Sequence, residues 1–123
     1  MKRKVLVVDD EIDLVDTCAR LIEQLGYRCL KAFDGPEAVA LMDAERPDVI
    51  VTDLNLPHGD GLEILHRAQE TSPEIPVIMM TGYHTADVAQ AASDAGAVAY
   101  LRKPFLTREL TQAIHEALLP LKT

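Results

Sequence analysis

Three stretches of this chain are apolar almost without a break: Val5-Leu6-Val7-Val8, Val49-Ile50-Val51-Thr52 and Val77-Ile78-Met79-Met80. Runs of this length, rich in Val and Ile and continuous rather than alternating, predict strands covered on both faces. Residues 27–32 form a further strand candidate, and Arg28 and Lys31 within it suggest a sheet edge. The segment Ala99-Tyr100-Leu101 is short, which also suits an edge.

Helical periodicity fills the gaps. Ile12, Val15, Ala19, Ile22 and Leu25 recur at three- and four-residue steps, and Gly26 ends that helix. Asp34 can cap the second helix, which Gly35 and Pro36 open and Pro47 stops. A third helix is expected over 62–70, ahead of Pro73, and a fourth over 85–95, ending at Gly96. The last carries Leu106, Leu110, Ala113, Ile114 and Ala117, with Pro120 past its end. There is no internal repeat, low-complexity tract or linker, so residues 1–123 read as one domain.

Five strands alternating with five helices give an α/β fold, a doubly wound five-stranded parallel sheet with right-handed crossovers and helices on two faces. The flavodoxin-like strand order 2-1-3-4-5 places both suspected edge strands at the edges. In that order the winding reverses between the first and third strands, and ligands bind outside the carboxyl ends of strands at such a reversal.

Polar residues stand at those carboxyl ends. Asp9-Asp10 follows the first strand, Asp53 the third, Thr81 the fourth and Lys103 the fifth. Singly each has an ordinary explanation: a helix cap for Asp10 or Asp53, a turn for Thr81-Gly82, a solvated lysine for Lys103. Their joint placement at one end of neighbouring parallel strands is what argues for a site. Crowded carboxylates repel, and a hard divalent cation such as Mg²⁺ relieves this with oxygen ligands and a phosphate oxygen. Lys103 offers a compact positive charge to a phosphoryl group and Thr81 a hydroxyl donor, while a carboxylate can serve as nucleophile to give an acyl phosphate.

Composition narrows the classes. A net charge of −8 argues against direct nucleic-acid binding, which needs a basic stripe. The Lys2-Arg3-Lys4 run is followed by four apolar residues, short of the roughly 7–15 of a signal peptide, and no segment approaches the ~20 needed to span a bilayer. Cys18 and Cys29 lack CxxC spacing and are expected to be reduced and buried, in a cytoplasmic protein. His58, His66, His84 and His115 have no mutual ligand spacing and read as surface residues.

Asp9-Asp10-Glu11, Asp53-Leu54-Asn55-Leu56-Pro57 followed by Asp60-Gly61, Met80-Thr81-Gly82 and Lys103-Pro104-Phe105 together resemble the receiver domain of bacterial two-component response regulators. The likeness spans essentially the whole chain. It implies that Asp53 is the phosphoacceptor for a phosphohistidine on a sensor histidine kinase or phosphotransfer protein. It further implies that Asp10, Asp53 and the main-chain carbonyl of Asn55 bind Mg²⁺, with Asp9 close by or acting through water. By the same resemblance Lys103 contacts the acyl phosphate, Thr81 swings toward it, Tyr100 is the switch aromatic, and the Lys103–Pro104 peptide is cis. Switching would then bias the surface of the fourth helix, fifth strand and fifth helix toward an output domain, a target protein or a dimer. Leu14, Thr17 and Phe105 are candidates for kinase docking. One departure stands out: Gly59, beside His58, occupies a position where the family carries a bulky apolar residue, which puts the packing of that loop in doubt.

Three other readings compete. A haloacid-dehalogenase-type phosphatase also uses a nucleophilic aspartate, Mg²⁺, a threonine and a lysine, but places its Asp-x-Asp after the first strand and needs a cap. A flavodoxin-like carrier needs a hydroxyl-rich phosphate loop where this chain has Asp9-Asp10-Glu11, and aromatics to stack on flavin. A receiver-like docking module without phosphorylation would have no need for the filled catalytic positions. The chain is therefore expected to be a signalling module rather than a turnover enzyme.

Overall fold

Each unbroken apolar run is a strand whose successive residues face opposite layers of core. The computed structural model describes residues 2–56 and 61–119. Along it run β1 (Lys4–Val8), α1 (Ile12–Gln24), β2 (Arg28–Ala32), α2 (Gly35–Glu45), β3 (Val49–Asp53), α3 (Gly61–Thr71), β4 (Val77–Thr81), α4 (Ala86–Asp94), β5 (Ala99–Arg102) and α5 (Thr107–Ala117). All strand pairings are parallel and the order is β2-β1-β3-β4-β5, as the alternation of elements predicts.

The period of two in a strand divides the core. Val5, Val7, Val49, Val51, Ile78 and Met80 face α1 and α5, meeting Val15, Cys18, Ile22, Leu110 and Ile114. Leu6, Val8, Ile50, Val77 and Met79 face the opposite way, onto Ala38 and Met42 of α2, Ile64, Leu65 and Ala68 of α3, and Ala92 of α4. Every residue of β3 and β4 is buried. Each fully buried Val or Ile there contributes about 1.5–3 kcal/mol of hydrophobic stabilisation, so these central strands form a stiff platform.

The helix ends follow from local chemistry. Asp34 accepts a 2.9 Å bond from the Glu37 amide, and Pro36 occupies the first turn of α2. Gly26, at φ +96°, turns the chain out of α1. Thr85 caps α4 through a 3.0 Å bond from the Val88 amide, and the Leu106 amide at the start of α5 donates to the Glu109 carboxylate at 2.8 Å.

Five expectations need correction. Tyr27 precedes β2 rather than belonging to it. Ile12, Leu25 and Leu106, counted in the apolar stripes of α1 and α5, are 62%, 41% and 54% exposed. Ile12 is the first residue of α1, Leu25 its C-cap and Leu106 the N-cap of α5, so each stands at the end of its apolar stripe. Cys18 is buried as expected, but Cys29, on edge strand β2, is half-buried; both are free thiols. The left-handed turn after α2 is made by Arg46, at φ 50°, a conformation for which its type gives no sequence signal. The Gly59 and His58 loop lies outside the described residues.

Candidate functional site

Register brings the carboxylates together. Val8 pairs with Thr52 across β1 and β3, so the next residue on each strand, Asp9 and Asp53, lies at the same edge. Asp53 pairs with Met80, which sets Thr81 one step beyond it on the adjoining strand. One carboxylate oxygen from each of Asp9, Asp10 and Asp53 lies within 4.8 Å of the others.

Lys103 reaches this cluster from the end of β5. Its Nζ donates to Asp9 Oδ2 at 2.5 Å, to Asp53 Oδ2 at 3.3 Å and to Glu11 Oε1 at 3.3 Å. Asp9 and Asp53 are buried, whereas Asp10 is exposed at the mouth of the site. The Asp9 carboxylate also accepts from the Glu11 amide at 3.0 Å, and Asp53 Oδ1 accepts from the Asn55 amide at 3.3 Å. The Lys103–Pro104 peptide is cis, as the resemblance implied.

Burial sets the protonation balance. Desolvation raises the pKa of Asp53, against the opposing pull of Lys103 and the Asn55 amide, and Asp10 raises it further. Asp9 is likewise raised by burial and by Asp53, although its bond to Lys103 works the other way. Burial alone would depress Lys103, but the bond to Asp9 and the charges of Asp53 and Asp9 outweigh it and leave its pKa raised. The lysine is thus firmly cationic, and the clustered carboxylates keep an excess of negative charge that a second cation would relieve. Three convergent hard oxygens, two buried and one open to solvent, fit a divalent ion such as Mg²⁺ that keeps several waters.

Thr81 is fully buried, and its Oγ1 accepts a 2.9 Å bond from the Tyr83 amide. Tyr100 is half-buried on β5, and its hydroxyl lies 3.1 Å from His84 Nδ1. The docking candidates divide: Thr17 is exposed, while Leu14 and Phe105 are half-buried and pack against the core on the α1–α5 side.

Three participants escaped the sequence reading. Glu11 shares Lys103, and its place in the acidic triplet was a signal that could have found it. His84, read as a plain surface residue, contacts Tyr100 across sixteen positions, for which no spacing rule exists. Gly61 abuts the end of β3: a Cβ there would lie 2.5 Å from the Asp53 carbonyl oxygen and 3.0 Å from Leu54 Cα. Its amide donates to the Leu54 carbonyl at 2.9 Å.

Known proteins share this architecture. The family model of the response regulator receiver domain matches residues 5–115. The chain is 34% identical over 123 residues to sporulation initiation phosphotransferase F of Bacillus subtilis (strain 168), covering 100% of this chain and 98% of that relative. It is 36% identical over 110 residues to the response regulator MprA of Mycobacterium ulcerans (strain Agy99), covering 89% of this chain but 47% of the relative, so it spans about half the length of that protein. Among solved structures, a CheY-like response regulator receiver domain protein from Methanospirillum hungatei JF-1 superposes with a TM-score of 0.89 at 31% identity, covering 94% of this chain and 93% of the other. The chain belongs to the response regulator receiver domain family, the signalling module of two-component systems.

Proposed function

We propose that Asp53 accepts a phosphoryl group from a phosphohistidine of a sensor histidine kinase or phosphotransfer protein. An Asp53 carboxylate oxygen attacks phosphorus, the P–N bond breaks with its electron pair passing to the imidazole, and a mixed anhydride forms on Asp53. Asp10, Asp53 and the main-chain carbonyl of Asn55, with Asp9 directly or through water, would hold Mg²⁺, which when bound neutralises charge on the phosphoryl oxygens. Lys103, already anchored by Asp9, supplies a second positive charge beside Asp53. The Thr81 hydroxyl donates to a phosphoryl oxygen once its loop moves inward, and Tyr100 repacks with it. The α4–β5–α5 surface then shifts between two states that an output domain, a target protein or a second copy can distinguish.

One observation carries this reading: the Lys103 ammonium bridges buried Asp9 and Asp53 within a three-carboxylate cluster at the carboxyl edge of the sheet. Leu14, Thr17 and Phe105 serve as docking candidates, residues 1–123 act as one receiver unit in the cytoplasm, and the domain turns over no external substrate. The test is incubation with ³²P-labelled acetyl phosphate and Mg²⁺. Wild type is expected to take up hydroxylamine-labile label, with loss of labelling in Asp53→Asn and in EDTA. Equal uptake by Asp53→Asn would refute the assignment.

A further inference from the structure

We infer that His84 is a positioning residue that clasps the Tyr100 hydroxyl and holds the domain in its unphosphorylated arrangement. This deepens the reading of Asp53 as phosphoacceptor and rests on it.

The loop between β4 and α4 makes two bonds, one to each of the side chains expected to move. At one end the Tyr83 amide donates to Thr81 Oγ1 at 2.9 Å, fixing the threonine hydroxyl against its own loop. At the other, His84 Nδ1 lies 3.1 Å from the Tyr100 hydroxyl, with ring centroids 5.5 Å apart and planes tilted by 55°. Tyr83 and His84 are consecutive and exposed; Tyr83 is held through its backbone amide and His84 through its ring. Thr85 then fixes the start of α4 by accepting from the Val88 amide, so the freedom of the loop is confined to the few residues after Thr81.

The Tyr83 amide ties Thr81 Oγ1 to its own loop, so a Thr81 that moves toward a phosphoryl group on Asp53 draws Tyr83 along with it. Tyr83 in turn cannot shift without moving His84, its covalent neighbour. The His84–Tyr100 bond therefore opposes the rearrangement that a phosphoryl group draws from Thr81, and it links the loop to β5 by a side-chain contact rather than through the sheet. The contact is solvent-accessible, so its net value is that of a modest hydrogen bond. Its removal should shift the balance between the two arrangements by roughly two- to fivefold.

The probe is beryllofluoride with Mg²⁺, a phosphoryl mimic that needs the same carboxylate, titrated into the intact protein and followed by ¹H–¹⁵N NMR. Wild type is titrated first, beside Asp53→Asn. Failure of wild type to bind, or unchanged binding by Asp53→Asn, overturns the phosphoacceptor reading and the clasp with it. Given Asp53-dependent binding, His84→Ala and Tyr100→Phe are each expected to bind beryllofluoride roughly two- to fivefold more tightly, and the double variant no more tightly than either single one. His84→Gln, which keeps a hydrogen-bonding side chain, should lie near wild type. Unchanged or weaker binding by His84→Ala, or effects that multiply in the double variant, would overturn the clasp while leaving the phosphoacceptor intact.

Discussion

Gly61→Ala tests whether the close seating of α3 against β3 holds the Asp53 end of the strand in place. The added methyl would sit 2.5 Å from the Asp53 carbonyl oxygen, nearly 1 Å short of the 3.4 Å at which ordinary contact begins. It would also stand 3.0 Å from Leu54 Cα and 3.2 Å from the Asp53 carbonyl carbon. All three atoms are backbone, so no side chain can rotate away. Relief requires either the first turn of α3 to lift, stretching the 2.9 Å bond from the Gly61 amide to the Leu54 carbonyl, or the Asp53 peptide to tilt. Overpacking of this kind costs about 1–3 kcal/mol, offset by at most ~1 kcal/mol from the lower chain entropy of alanine in the unfolded state. A net loss of about 1–2 kcal/mol corresponds to a fall in Tm of roughly 4–10 °C for a domain of this size. Thermal unfolding followed by circular dichroism measures it. Gly82→Ala is the control, because a Cβ there meets only Lys103 Cβ, at an unstrained 3.9 Å, and its Tm should stay near that of wild type. Acetyl phosphate labelling of Gly61→Ala should also slow, by about tenfold, since displacements under 1 Å at a reacting group carry costs of that order. A Gly61→Ala protein that melts at or above the wild-type temperature and labels at the wild-type rate would refute the reasoning.

Other outcomes follow from the charge balance and the cysteines. Asp53→Asn should be more stable than wild type at pH 7 without Mg²⁺. The raised pKa of Asp53 means that its ionised form is disfavoured by folding, a cost absent below the unfolded-state pKa and complete once the pH exceeds the folded one; a lower urea midpoint for the variant would contradict this. Mg²⁺ at ten times its dissociation constant should stabilise wild type by ~1.4 kcal/mol and Asp53→Asn by clearly less, read as Tm shifts in a magnesium titration. Burial pushes the Cys18 thiol up to about 11 and the Cys29 thiol up to about 12. Native protein at pH 8 should therefore resist iodoacetamide far longer than protein unfolded in urea, and equal alkylation rates would contradict the burial of Cys18.

Much of the architecture was legible because the strongest physical signals are local. Unbroken Val and Ile runs fix strands buried on both faces, and Asp34, Gly26 and Pro36 mark helix ends by mechanisms that need no tertiary context. The carboxylate cluster was legible too, since strand order and register convert position in sequence into position at an edge. What sequence spacing could not convey were contacts made by geometry between elements. Ile12 and Leu106 satisfy the helical period yet stand exposed, because periodicity does not say where the opposing layer stops. Gly61 carries no turn signature; its absent side chain matters only for the strand backbone beside it. Arg46 adopts a left-handed conformation that its residue type disfavours, dictated by where α2 must end before Pro47. His84 gains its role from a tyrosine on another element, which no pattern within its own helix or loop encodes.

The placement of Asp53 as the final residue of β3 has a mechanical corollary. Its strand is flanked on both sides, shielded above and below, and locked by pairing to β1 and β4, so the side chain is borne on the least compliant part of the molecule. Strain from a phosphoryl group formed there, as proposed, would find little slack at its origin and would pass to neighbours held by fewer pairings. Those neighbours are the turn after Thr81 and the four-residue β5, which among the described residues pairs with β4 alone. A rigid anvil beside a yielding margin would give such deformation a direction, toward the face bounded by α4 and α5.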